Sequence, residues 1–259
     1  MKTFHCHALA GIEKLVLKKG KIDFLITEGT MLSRLDERVR HENDLKREIV
    51  ELMKQYKNIF VMCSSTDMER LATFHAANKE MADRPFVCDD FQKSVLEIFS
   101  DTAGRMSSLF DFGKCYSFRN NNTKLINWMQ DKGFCMLVRA TEKFRDYFSF
   151  LEQLIDRNET VLIYSMWKEY INPKSKHVNK GFLDFIGKFP SIKVIHTSGH
   201  ASPDCLVDVC NLVNPSTGII PIHSEQSSNY QKLQIKEELK AKIITESKEI
   251  NEAIKIIIN

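Results

Sequence analysis

The sequence predicts an α/β protein in which helices pack on a largely parallel sheet. Short apolar, β-branched runs alternate with amphipathic segments across most of the 259 residues, a pattern typical of repeated strand–helix units. Several of these runs are continuously apolar, as expected of strands that are buried on both faces. No internal repeat or low-complexity segment interrupts the pattern.

The composition is that of an ordinary globular protein, and the length allows one large domain or two smaller ones. A net charge of +3 neither indicates nor excludes a nucleic-acid partner, because a local basic groove can exist in a nearly neutral chain. The seven cysteines are scattered and form no C-x-x-C pair, which predicts reduced thiols in the cytoplasm. No signal peptide or membrane-spanning run is present, so we expect a cytoplasmic protein without a membrane partner.

The N-terminal segment carries an H-x-H pair, His5 and His7, which invites a metal hypothesis. Further acidic and histidine ligands do not follow close behind, so this hypothesis is disfavoured. Residues 15–17 lead into a Lys-rich turn, and residues 22–28 then predict a buried parallel strand that delivers Glu28 to its carboxyl end. That edge is where α/β proteins place chemistry, although Glu28 could merely cap a loop.

The middle of the chain continues the alternation. Residues 35–56 predict a charged helix with one apolar stripe, and residues 58–63 predict a strand. A loop containing Ser64 and Ser65 follows at the start of a helix that runs to about residue 81. This loop is a candidate phosphate site, although helix capping explains it equally well. Residues 100–123 have a weak pattern and predict an irregular excursion. The further predicted elements are strands at 85–88, 134–140 and 160–167, and helices at 91–99, 124–130, 142–155 and 181–189.

Residues 192–204 predict a strand, a tight loop and the start of a helix. Ser202 is a good N-cap, and the proline after it suits the first helical position. Gly199 lets the backbone approach a ligand, free N–H groups are expected to face outward, and Ser198 and His200 add side-chain donors. Such a loop at a helix N-terminus attracts phosphate. A plain strand-to-helix connection with a solvated histidine is the alternative.

The last third ends in a strand at residues 218–225 that carries His223 near its end. Residues 232–259 then predict a helix, a short strand at 243–244 and a final apolar helix or strand.

Four stretches, in this order, resemble the β-CASP branch of the metallo-β-lactamase superfamily, the metal-dependent nucleases that include ribonuclease J and the mRNA 3′-end cleavage factors. Residues 25–30, Leu-Ile-Thr-Glu-Gly-Thr, resemble the acidic motif A. Residues 60–66, Phe-Val-Met-Cys-Ser-Ser-Thr, followed by Arg70, resemble the first strand and loop of the β-CASP insertion. Residues 196–202, His-Thr-Ser-Gly-His-Ala-Ser, resemble motif B, and residues 220–225, Ile-Pro-Ile-His-Ser-Glu, resemble motif C, usually Pro-x-His-Gly-Glu.

The resemblance implies a β-CASP-type parallel-sheet domain, residues 39–190, inserted into an incomplete metallo-β-lactamase-like α/β domain made of residues 1–38 and 191–259. The latter is incomplete because the family's His-x-His-x-Asp-His motif does not occur in this chain, and Thr3 stands where its bridging aspartate would align. The chain is similar to the downstream part of such a nuclease. We therefore expect an uncovered apolar sheet face, and with it self-association or binding to an upstream lactamase half.

The resemblance also implies roles for particular residues. Zinc is the family's cofactor, but we expect this chain not to bind it tightly, because too few ligands remain. Single-stranded RNA is the expected partner and phosphodiester hydrolysis the parent reaction, with this chain inactive alone. Two alternatives are a non-catalytic RNA- or partner-binding module, and a nucleotide-binding α/β domain whose likeness is coincidental. The implied residues are Glu28 orienting the metal site, His200 assisting the phosphate, His223 as metal ligand, Ser198, Gly199, Ala201 and Ser202 forming the phosphate pocket, and Ser64 and Ser65 facing the RNA groove.

Overall fold

A computed structural model describes residues 4–34, 40–224 and 226–245, with only the backbone described at 4–8, 10 and 34. Across that part of the chain, no helix is both long and apolar enough to cross a bilayer. The strands are β1 (Phe24–Glu28), β2 (Asn58–Cys63), β3 (Phe86–Cys88), β4 (Tyr116–Ser117), β5 (Phe134–Val138), β6 (Thr160–Ser165), β7 (Ile192–Val194) and β8 (Gly218–Ile222). The α-helices are α1 (Phe4–Lys19), α2 (Glu42–Gln55), α3 (Met68–Lys79), α4 (Asp90–Thr102), α5 (Thr123–Lys132), α6 (Glu142–Leu151), α7 (Lys180–Ile186), α8 (Pro203–Val213) and α9 (Glu237–Lys240).

The chain divides into two compact units. The larger unit is Arg40–Thr197, and the smaller unit combines Met1–Val39 with Ser198–Asn259. In its described residues the larger unit contains a parallel sheet with the strand order β4-β3-β5-β2-β6-β7. The smaller unit contains the parallel pair β1-β8.

The central strands of the larger sheet are buried along their whole length. Every residue of β2, β5 and β6 is buried, and alternate residues join two different apolar clusters. In β2, for example, Ile59 and Val61 belong to one cluster, whereas Phe60 and Met62 belong to the other. Because side chains alternate across a strand, helices must cover both faces of this sheet.

Local sequence fixes the starts of several helices and one tight connection. The side chains of Asp67, Asp89 and Asn122 each accept a hydrogen bond from the third helical N–H of the helix that follows. Between α5 and β5 the chain turns at Gly133, whose φ is +72°. A Cβ there would lie 2.1 Å from the Lys57 carbonyl oxygen, so only glycine fits.

The smaller unit buries an apolar cluster beneath the pair β1-β8. Its members include Leu206 and Cys210 of α8, Ile219 of β8, Tyr230 and Leu239. An isolated parallel bridge from Ile219 to Ile243 adds a third chain segment beside β8.

The predicted α/β class with parallel strands is confirmed, and most predicted elements fall within a few residues of the observed ones. Two elements differ. Residues 4–19 form a helix where a Lys-rich turn was expected to begin after residue 17, and the chain instead turns at Gly20 with φ +76°. The edge strand β4 has two residues, too few for a periodic pattern. The bridge at Ile243 lies where a short strand was predicted, whereas residues 246–259 lie outside the described residues.

The division between the units falls after Thr197, whereas the predicted boundary was 190/191. The physical reason is that β7 extends the larger sheet: Leu162 of β6 pairs with Ile192, and Tyr164 pairs with Val194. Sequence alone does not show which sheet an isolated strand joins.

Candidate functional site

The pair β1-β8 carries two of the predicted site residues to one edge. Glu28, the last residue of β1, is in register with Ile222, and His223 follows directly. Because the strands are parallel, both side chains start from the same carboxyl edge. His223 has φ +51°, a left-handed conformation that is uncommon for a residue other than glycine. One nitrogen or oxygen atom from each of Glu28, His200 and His223 lies within 4.8 Å of the others.

Glu28 is the centre of this cluster. Its Oε1 accepts a hydrogen bond from the Ala201 N–H at 2.7 Å. Its Oε2 accepts one from the Thr30 N–H at 3.2 Å and lies 3.1 Å from Nδ1 of His200. The carboxylate therefore fixes both the loop that follows β7 and the ring of His200.

The pKa of Glu28 lies below its ordinary value of 4.5. Partial burial opposes ionisation, but hydrogen bonds from the Thr30 side chain and the Ala201 N–H, together with the charge of His200, outweigh it. Glu28 is thus a carboxylate at neutral pH and can only accept hydrogen bonds. Nδ1–H of His200 is therefore the donor to Glu28, and Nε2 is the ring nitrogen that can face a ligand.

His223 is held in a similar way by Thr30. The Thr30 hydroxyl lies 3.0 Å from Nδ1 and 3.1 Å from the carbonyl oxygen of His223. When the single hydroxyl proton goes to the His223 carbonyl oxygen, Nδ1–H of His223 is the donor to the Thr30 oxygen. The two imidazole rings have centroids 5.6 Å apart, so the cluster places two imidazoles side by side.

The loop at residues 198–202 is organised by hydrogen bonds of its own. Ser202 Oγ caps α8 by accepting the Cys205 N–H at 3.2 Å, and Ser198 Oγ accepts the His200 N–H at 3.2 Å. The N–H groups of His200 and Ala201 are thus used internally, which differs from the predicted outward orientation, because Glu28 and Ser198 accept them. The hydroxyl protons of Ser198 and Ser202 and the exposed His200 ring remain for a ligand, and Gly199 is exposed beside them.

Tyr230, which the sequence did not single out, and Ser224 of motif C support the backbone around Glu28. The buried Tyr230 donates its hydroxyl proton to the carbonyl oxygen of Glu28, and Ser224 Oγ donates to the Gly29 carbonyl at 3.1 Å. A Cβ at Gly29 would lie 2.8 Å from Cε2 of Tyr230. Thr30 was visible as the end of motif A, but no spacing pattern indicates Tyr230, which follows β8 in an irregular segment.

Ser64 and Ser65 lie in the larger unit, at the carboxyl end of β2. Ser64 Oγ is 3.4 Å from both the Thr66 N–H and the Thr66 hydroxyl, and the Ser65 carbonyl accepts a hydrogen bond from Gln92 at 3.1 Å. Ser64 is exposed and Ser65 is half-buried. Their observed contacts are those of a tight turn before α3.

Arg70, which formed part of the resemblance, has a structural role in the larger unit. Its guanidinium is 1% exposed and binds both carboxylate oxygens of Glu42, the Ser165 hydroxyl and, at 3.4 Å, the Thr197 carbonyl. Burial, reinforced by the charge of Arg70, lowers the pKa of the neighbouring His196 to about 4. This network joins α2, α3, β6 and the residues after β7.

The cluster fits zinc incompletely. Among the described residues, Glu28, His200 and His223 are the one group of three or more potential ligand side chains. Both oxygens of Glu28 already accept N–H groups, so a metal ion would compete with these contacts for the carboxylate, and the two imidazole nitrogens alone are fewer than the three protein ligands of a catalytic zinc. The side chains of His5 and His7 lie outside the described residues.

No protein-family model matches this chain, and no curated protein matches its sequence. The interpretation of the site therefore depends on its geometry.

Proposed function

We propose that this cluster binds a phosphodiester of single-stranded RNA, and that the chain is the β-CASP-type part of a metal-dependent RNA-processing nuclease. The observation that carries the proposal is the ionised Glu28, which holds the His200 ring and the Ala201 N–H at the same time. A carboxylate-fixed imidazole beside a serine-rich loop at a helix N-terminus is suited to an anionic ligand.

Each group has a definite task in this proposal. Nε2 of His200 contacts a phosphate oxygen, while Glu28 holds Nδ1 of the same ring from the other side. The Ser198 and Ser202 hydroxyls donate to the remaining oxygens. His223 supplies the second imidazole at the edge of the same cluster.

In this proposal, these residues alone do not hydrolyse the phosphodiester bond. In the family that the motifs resemble, bound metal supplies a hydroxide nucleophile and neutralises the leaving oxygen. Because two free imidazole nitrogens are too few to hold zinc tightly, we propose that the chain binds RNA without cleaving it.

A second candidate is a partner-binding module. The observation that favours it is the pair Ile26 and Ile222, which lie on neighbouring strands and are 49% and 50% exposed. Exposed apolar side chains on a sheet attract a second copy or another protein. Sedimentation over a wide concentration range tests this candidate, because a constant monomer mass would exclude self-association.

The main proposal is tested by titrating a fluorescent single-stranded RNA with the protein at low salt, where electrostatic attraction is strongest. His200→Ala should weaken binding about tenfold, the loss expected when one charged hydrogen bond of about 1.5 kcal/mol disappears. Ser202→Asp keeps an N-cap for α8 but places a negative charge in the loop, so it should weaken binding at least as much.

His177→Ala is the matched control, because this exposed histidine of the larger unit packs against Trp167 at 5.0 Å and has no place in the cluster. Its RNA affinity should equal that of the unmodified protein. If His200→Ala and Ser202→Asp also bind RNA with unchanged affinity, the loop is not the RNA site and the proposal is wrong.

A further inference from the structure

Two thiols of the larger unit lie in direct contact. Cys88 is the last residue of β3, and Cys115 immediately precedes β4, its neighbour in the sheet. Both are free cysteines, and their Sγ atoms are 3.2 Å apart. A disulfide bond is about 2.0 Å long, so the sulfur atoms need to approach by about 1 Å to bond.

The segment that carries Cys115 can accommodate such a movement. It follows Gly113, which has φ +52°, and enters a two-residue strand at the edge of the sheet. Edge strands have neighbours on one side only, so a small shift of Cys115 toward Cys88 breaks few contacts.

Cys115 is also the accessible member of the pair. It is 9% exposed, whereas Cys88 is 0% exposed. Cys115 lines a cavity of about 260 Å³ whose wall includes Lys93 and Glu97 of α4. Those side chains are 40% and 62% exposed, so the cavity reaches solvent and can admit a small polar molecule.

We infer that Cys88 and Cys115 are a redox-active pair that a low-molecular-weight disulfide converts into an intramolecular disulfide, with Cys115 attacking first. The Cys115 thiol loses its proton to solvent, and the thiolate attacks one sulfur of the small disulfide. A mixed disulfide forms on Cys115, and one small thiol leaves. Cys88 then loses its proton and attacks Sγ of Cys115, which releases the second small thiol. Two protein thiols are oxidised, and one small disulfide is reduced.

The order of the two steps follows from the surroundings of each thiol. The hydrogen bond with Cys115 and burial raise the pKa of Cys88, which keeps it protonated until its partner is modified. Once the mixed disulfide has formed, Cys115 no longer has a thiol that shares this hydrogen bond with Cys88. Cys63 differs from Cys115, because burial raises the pKa of Cys63 to about 12 and the cavity wall does not include it.

The test exposes the reduced, folded protein to oxidised glutathione, blocks the remaining thiols with an alkylating reagent and maps the digest by mass spectrometry. The expected product is a linked peptide pair containing Cys88 and Cys115, with the loss of two free thiols. Cys88→Ser should stop at the first step and accumulate glutathione on Cys115. Cys115→Ser should leave Cys88 unmodified.

Cys205→Ser is the matched control, because Cys205 is half-buried and more exposed than either member of the pair. Its removal should leave the Cys88–Cys115 product unchanged. Should a variant fail to fold, the peptide map of the unmodified protein still decides the question. Retention of both thiols in the folded protein, or a disulfide that joins other cysteines first, would overturn the inference.

Discussion

Replacing Glu28 with glutamine removes the charge at the centre of the cluster while it keeps the side-chain shape. The carboxylate of Glu28 accepts hydrogen bonds from the N–H groups of Ala201 and Thr30 and faces Nδ1 of His200. A glutamine has one acceptor oxygen and one NH₂ group, so either orientation of the amide places a donor against a donor.

The magnitude follows from these contacts. Hydrogen bonds to charged groups contribute about 1.5–3 kcal/mol each, and partial exposure of Glu28, 28%, places the loss near the lower end. We expect Glu28→Gln to lower the free energy of unfolding by about 2 kcal/mol, which corresponds to a drop in Tm of about 4–8 °C. The change in the free energy of unfolding is measured by urea denaturation at neutral pH, monitored by circular dichroism.

The pH dependence gives a second check on Glu28→Gln. Because the folded pKa of Glu28 is below its ordinary value of 4.5, its stabilising contribution is present above pH 4.5 and is lost as the pH falls through the folded pKa. The difference between the two proteins should therefore shrink below pH 4.5. Glu238→Gln is the control, because Glu238 is exposed on α9. If Glu28→Gln costs no more than this control, Glu28 does not organise the site.

Three further comparisons test the packing within each unit. Arg70→Met should destabilise the protein by about 3–5 kcal/mol in urea titrations, because it leaves the Glu42 carboxylate without its buried partner; a loss below 1 kcal/mol would contradict the network. Gly29→Ala should cost about 1–3 kcal/mol through overpacking, whereas Gly199→Ala, where nothing lies within 4 Å, should cost less than about 0.5 kcal/mol; equal losses would count against the packing described. Burial lowers the pKa of His75 to about 4, so the neutral ring stabilises the fold fully above pH 6.5 and this stabilisation is lost as the pH falls toward 4. Relative to His75→Leu, the free energy of unfolding of the unmodified protein should fall by about 3 kcal/mol over that range. Parallel stability curves for the two proteins would contradict this.

Strand positions and their parallel arrangement were accessible from the sequence. The continuous apolar run at 58–63 indicates a strand covered on both faces, and the structure buries all of β2. Glu28 and His223 could likewise be placed at strand ends from the sequence. Each follows an apolar run, and an apolar run that stops at a polar residue marks the end of a strand.

The contacts within the site were not accessible in this way. Which carboxylate accepts the Ala201 N–H depends on where β1 lies relative to the loop, a tertiary relation 173 residues apart in sequence. Tyr230 supports Glu28 from a segment without periodicity. That β7 pairs with β6 could not be predicted, because three residues of β-branched and basic character suit either sheet equally.

The central claim is that the chain holds RNA at the cluster of Glu28, His200 and His223 without cleaving it. The most direct measurement incubates end-labelled single-stranded RNA with the protein and either zinc or manganese, and follows bound and cleaved RNA on gels. The account predicts bound, intact RNA with either metal, because two free imidazole nitrogens cannot hold an ion tightly enough to generate hydroxide. Metal-dependent cleavage that disappears in a His223→Ala variant would contradict it.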